Sequence, residues 1–165
     1  MMKRMIIFVF LSSLLSGTVT VKSQELTINQ EIDYINTLLR ANPYRDTFLE
    51  ITFYYSIAVS AEKELIVNME FDGPFKTTLK AGISELGRSF LRDTAYEGNS
   101  SVCWHCKSDD PEKENSCVYN ETITSGTEKE FHYSDNICVM FARGGEIRGK
   151  LLKAFDHLFS MVVIE

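Results

Sequence analysis

The chain has 165 residues, 44% of them hydrophobic and 12% aromatic, with three prolines. That is too apolar for a disordered tail, enough for one buried core, and short for a second domain. Its 17 Lys and Arg against 23 Asp and Glu give a net charge of −6. This argues against a nucleic-acid binder, because gripping phosphates takes clustered cations. No Walker loop, Rossmann glycine fingerprint, HExxH or GxSxG occurs.

Residues 1–23 have the three-part layout of a secretory signal. Met1-Met2-Lys3-Arg4 is a short basic start and Met5 to Leu15 an apolar run. Ser16-Gly17-Thr18 is a break, and Val21-Lys22-Ser23 leads to a cleavage point before Gln24. The apolar run falls short of the ~20 residues that span a bilayer, so cleavage is expected rather than anchoring. Removal of Lys3, Arg4 and Lys22 leaves 14 basic against 23 acidic residues, a charge of −9. The expectation is an exported (periplasmic or secreted) acidic domain over 24–165, with no membrane insertion after cleavage.

Over 24–42, Thr27 and Gln30 fit a capping box, and Ile28, Ile32, Ile35, Leu38 and Leu39 form a helical stripe that ends at Asn42-Pro43. The span 48–141 then reads as strands. Ile51, Phe53, Tyr55, Ile57 and Val59 alternate with polar or small partners, with Tyr54 on the off-core face. After Glu62-Lys63, Leu65, Val67, Met69 and Phe71 alternate again, which predicts an antiparallel hairpin. Asp72-Gly73-Pro74 turns the chain into Phe75, Thr77, Leu79, Ala81 and Ile83. Weaker runs cover Ser89 to Tyr96, Ser101 to Cys106, Cys117 to Ile123 and Phe131 to Phe141. They are separated by Glu97-Gly98-Asn99, the polar stretch Lys107 to Ser116, and Ser125-Gly126. Ser134-Asp135-Asn136 makes the last run one bent strand or two short ones. Gly144-Gly145 ends the strands, and over 145–163 Ile147, Leu151, Leu152, Phe155, Leu158, Phe159 and Val162 share a helical face.

The predicted class is therefore α+β, mainly β. About seven antiparallel strands form a bent sheet or barrel capped by a C-terminal amphipathic helix, with an extra helix in front. This order of elements resembles the pleckstrin-homology-like barrel. The unit from Asn136 to Val163 also resembles the strand–glycine–helix ending of small exported bacterial proteins of unassigned function. Phosphoinositide binders of that architecture carry a basic cluster in the first hairpin loop. Here the loop is Ala61-Glu62-Lys63-Glu64, which departs from the pattern, so that ligand is not carried over.

Four cysteines, Cys103, Cys106, Cys117 and Cys138, read in an exported chain as two disulfides with three conceivable pairings. If Ser101 to Cys106 is extended, Val102, Trp104 and Cys106 share one face, and Cys103 shares the other with His105. Cys138 lies opposite the apolar face of Ile137, Val139 and Phe141. Pairing like with like favours Cys106–Cys117 and Cys103–Cys138 over the two alternatives. Cys103-Trp104-His105-Cys106 also resembles a thiol-exchange motif, but Lys107-Ser108-Asp109-Asp110-Pro111 is a poor helix opening for lowering a thiol pKa. A zinc site from Cys103, Cys106, Cys117 and His105 lacks two close cysteine pairs.

His132 and His157 read as structural residues beside apolar neighbours. Asp109 to Glu114 lacks the glycine and the spacing of a calcium loop. Asn99-Ser100-Ser101 and Asn120-Glu121-Thr122 are formal glycosylation sequons. Phe155 and Phe159 are expected to pack inward rather than on a membrane, because the polar face of that helix is not cationic. No catalytic constellation, metal site or cofactor is implied. The expected function is a small exported binding or structural domain for a protein or small-molecule ligand that the sequence does not identify. The alternatives are a small secreted enzyme with scattered site residues, and thiol exchange at Cys103 and Cys106.

Overall fold

A computed structural model describes residues 27–71, 73, 75–93, 98–107, 116–123 and 129–164. The signal-like segment 1–23, most of the acidic stretch between Lys107 and Ser116, and the Ser125-Gly126 turn lie outside the described residues.

Helix α1 spans Ile28–Ala41 and opens with the reciprocal cap expected of its sequence. The Gln30 backbone N–H donates to Thr27 Oγ1 at 3.3 Å, and the Thr27 N–H donates to Gln30 Oε1 at 2.8 Å. At its other end the Asn42 side chain donates to the Leu38 carbonyl, closing the helix before Pro43. Strands follow as β1 (Tyr44–Asp46), β2 (Ile51–Val59), β3 (Glu64–Phe71), β4 (Lys76–Gly82), β5 (Phe90–Asp93), β6 (Asn99–His105), β7 (Val118–Ile123), β8 (Lys129–Ser134) and β9 (Asn136–Ala142). A 3-10 turn at Ile83–Glu85 sits between β4 and β5, and α2 (Ile147–Ile164) ends the described chain.

The architecture is α+β and mainly β, with an N-terminal and a C-terminal helix. Among the described residues nine strands form two antiparallel sheets and no closed barrel. One sheet has six strands in the order β1-β2-β3-β4-β7-β8, and the other has three in the order β5-β6-β9. The run from Phe131 to Phe141 is two strands, and Asp135 between them passes the chain from one sheet to the other. The three-residue β1 is an element that alternation over so short a span cannot reveal.

Side chains follow the period of each strand. In the six-stranded sheet Tyr55, Ile57, Leu65, Val67, Ala81 and Val118 point inward and are buried. In the smaller sheet Val102, Trp104, Ile137, Val139 and Phe141 are fully buried. Trp104 is central: the Phe155 ring meets it edge-on at 4.8 Å and Phe159 stacks at 5.2 Å. Each fully buried apolar side chain of this kind contributes ~1.5–3 kcal/mol. Thus α2 lies along the three-stranded sheet and beside α1, with Ile147, Leu151, Ala154, Phe155, Leu158 and Val162 turned inward.

Polar groups that the fold buries have partners. Glu31 of α1 is 3% exposed, and its Oε2 lies 3.0 Å from His157 Nδ1 on α2, tying the two helices together. The Asn99 amide donates to the Arg45 carbonyl at 2.8 Å and accepts from the Arg45 N–H, which joins β6 to β1. The Tyr55 hydroxyl donates to Met69 Sδ. Burial, with a smaller effect from Tyr44, pushes its pKa far above the ordinary tyrosine range and keeps the ring neutral.

Candidate binding surface

The two disulfides sit at the small sheet. Cys103 and Cys138 are opposite each other on β6 and β9 and are bonded. Cys106, just past β6, is bonded to Cys117, just ahead of β7, so this bridge joins the small sheet to the large one. Strand alternation explains why two cysteines three residues apart bond in different directions. Cys103 is itself 1% exposed, because β6 is the central strand of its sheet and is covered on both sides. No cysteine among the described residues is free.

The histidines are held apart. His105 stacks on Phe90 at 4.9 Å, His132 faces the Asn120 amide at 2.9 Å, and His157 pairs with Glu31. Among the described residues no three His, Cys, Asp or Glu side chains are grouped as metal ligands would be. The two sequons differ in exposure: Asn99 is buried, while Asn120 is partly open on β7. Phe155 and Phe159 pack on Trp104.

The prominent exposed feature is apolar and lies at one end of the six-stranded sheet. The turn between β1 and β2 carries Phe48, 83% exposed, and Leu49, 55% exposed. The turn is built around Asp46, whose carboxylate accepts from the Phe48 and Leu49 N–H groups at 2.9 Å each. This ties the loop to its own strand and fixes the tip. Glu50 closes the turn in the left-handed region at φ 57°, a conformation that costs a side-chain-bearing residue free energy.

Behind the tip an aromatic row crosses the sheet. Tyr44 meets Phe53 at 5.5 Å, Phe53 meets Phe71 at 5.2 Å, and Phe71 stacks on Phe75 at 5.4 Å. The strand register puts Tyr44 beside Phe53 and Phe53 beside Phe71. Phe75, just before β4, is 39% exposed. Tip and row therefore share the end of the sheet where β2 and β4 begin and β3 finishes. Flanking surface charges are Glu50 and the Glu70–Lys76 ion pair at 2.6 Å, while Asp46 is buried beneath the turn.

Tyr54, which with nearby aromatics on the off-core face of the first hairpin is a sequence-level candidate for such a patch, is 44% exposed, but its cross-strand neighbour is Glu70 rather than another ring. Phe48 and Leu49 are not legible from periodicity, because a two-residue apolar pair has no period. The signal present in the sequence is Asp46, a side chain suited to fold back on its own turn, directly upstream.

A second exposed aromatic cluster lies on the outer face of the same sheet, where Tyr119 meets Phe131 and Tyr133, each at 5.7 Å.

Among the described residues no helix is long and apolar enough to cross a membrane. With the two disulfides, this is compatible with an exported protein. Comparison of the chain with protein-family models, curated proteins and solved structures finds no match.

Proposed function

We propose that this is an exported binding domain that engages a protein partner through the Phe48-Leu49 tip, which the aromatic row behind it backs. The observation that carries the reading is the pair of large apolar side chains held in water on a turn fixed by Asp46. A protruding tip suits an apolar cleft, and the exposed carboxylate of Glu50 beside it favours a cleft rimmed by cations. That carboxylate, on a chain of net charge −6, disfavours an anionic lipid surface, which attracts basic segments. Disulfides persist in oxidising compartments, and the signal-like amino terminus agrees with export.

The test is a photoreactive side chain at position 48, used in native extracts to trap and identify the partner, followed by binding measurements with the purified partner. Phe48→Ser and Leu49→Ser should each weaken binding about 30-fold, the effect of an interface hot spot. Tyr133→Ser should leave binding unchanged. Equal affinity of the Phe48→Ser/Leu49→Ser variant and the parent chain would refute the proposal.

A further inference from the structure

Strand β8 ends the six-stranded sheet, and five of its six residues, Lys129 to Tyr133, are exposed. An edge strand presents backbone N–H and C=O groups ready to pair with another strand, and isolated charges on such an edge normally deter pairing. Here the charges are placed so that the strand complements itself. We propose that β8 is a homodimer interface, pairing antiparallel with β8 of a second copy about a two-fold axis through Phe131.

That register places Glu130 of each copy opposite His132 of the other, Lys129 opposite Tyr133, and the two Phe131 rings against each other. A two-fold axis perpendicular to the sheet keeps each face continuous across the junction, and opposing residues share a face. On one face the two Glu130–His132 pairs form. The Asn120 amide nitrogen lies 2.9 Å from His132 Nε2. With Nε2 accepting that bond, the neutral ring carries its proton on Nδ1, free to donate to the carboxylate of the second copy. On the other face Phe131 and Tyr133, 54% and 66% exposed, join with Tyr119 into one aromatic cluster shared by both copies. Lys129 is already held by Glu121 at 2.6 Å, so its charge is balanced within its own chain. It then lies beside Tyr133 of the other copy, where a cation next to a ring is favourable.

A shift of one residue, with the axis through His132, sets His132 against itself and Glu130 against Ser134, so both Glu130–His132 hydrogen bonds are lost; it sets Lys129 against Asp135, but Lys129 is already paired with Glu121 in its own chain. A foreign strand would have to supply the complement that β8 already contains. The occupant argued for is therefore a second copy of this chain. The result is a twelve-stranded sheet with the Phe48-Leu49 turns at its two outer margins, so the interface stands independently of the binding tip.

The test is sedimentation of the disulfide-bonded chain across a wide concentration range. Six residues of strand bury less than a standard interface, so a dimer that half-dissociates at about 10–500 µM is expected. Glu130→Lys, which removes the carboxylate that the His132 ring donates to and leaves an ammonium in its place, and His132→Glu, which faces two carboxylates, should each weaken the dimer about tenfold. The Glu130→Lys/His132→Glu double variant should recover it. A parent chain that stays monomeric to about 1 mM overturns the proposal, as does a dimer indifferent to either reversal. Should a variant fail to fold, amide exchange of the parent chain decides instead. Protection of Lys129 to Ser134 rising with concentration supports the interface, and protection independent of concentration overturns it.

Discussion

In the three-stranded sheet six of the seven residues of β6 are buried, both disulfides start at or just past that strand, and α2 lays two phenylalanines on its tryptophan. In the six-stranded sheet the last strand leaves five of six residues in water, and the first turn holds Phe48 and Leu49 clear of the surface. Both sheets come from strands of similar length and alternation, so the difference lies in what covers them. The small sheet is enclosed by α2, by its cross-links and by the larger sheet. The large sheet is covered over part of one face, where α1 packs on β2, and its margins stay open. Fully buried packing is concentrated in the enclosed sheet and exposed apolar side chains at the open margins.

Truncation of the two aromatic centres would break that comparison most directly. Trp104→Ala should destabilise the chain by about 3–5 kcal/mol, since it empties a closed site between Phe155 and Phe159. Phe131→Ala, on the exposed face of β8, should change stability by less than about 0.5 kcal/mol. Urea midpoints under oxidising conditions measure both, and comparable losses would erase the division between the sheets.

The cross-links sharpen the comparison. The Cys103–Cys138 bridge closes a sequence separation of 35 residues and Cys106–Cys117 one of 11. Chain entropy then makes their removal as alanine pairs worth about 4 and about 3 kcal/mol respectively. The sites of the losses should differ too. The first bridge lies within the small sheet. The second ties β6 to the start of β7, so losing it should lower hydrogen-exchange protection of Val118 to Ile123 before that of β9. Uniform loss of protection after either removal would show that the sheets unfold as one unit.

Much of this division can be traced in the sequence, and the limits are physical. The capping box at Thr27, the period of Ile51 to Val59 and the apolar face from Ile147 to Val162 are local patterns that local geometry enforces. The alternation that puts Cys103 and Cys106 on opposite sides of one strand is also local. Which strand leaves a sheet is decided over long distances. Nothing near Asp135 states that β8 joins β7 while β9 crosses to β6, because the choice depends on surfaces contributed by residues far away in sequence. Glu31 is a similar case: helical spacing puts it within the apolar stripe, between Ile35 and Leu38, but its partner His157 comes from α2, far away in sequence. The Phe48-Leu49 tip is illegible in the sequence for a different reason, since exposure of an apolar pair is a fact about the whole fold rather than about its neighbours.

The smallest effect has the opposite sign and concerns how each sheet turns its chain. Ahead of β6 the left-handed residue is Gly98, at φ 83°, whereas the large sheet uses Glu50 at φ 57° and Lys63 at φ 62°. At Lys63 the turn is well bonded: its N–H donates to the Ser60 carbonyl at 3.1 Å, its carbonyl accepts from Ile83, and the Ser60 hydroxyl accepts from the Glu62 and Glu64 N–H groups. The conformation is therefore fixed by its surroundings, and the side chain bears a steric penalty that glycine lacks. Lys63→Gly should stabilise the chain by about 0.5–1 kcal/mol, the relief of that penalty less the extra backbone freedom glycine loses on folding. Glu50→Gly should give a similar gain. The two residues lie at opposite ends of the nine-residue β2, so the effects should add. Thermal unfolding of the single and double variants measures this, and a loss of stability at both positions would mean that the large sheet's turns are not strained relative to that of the small one.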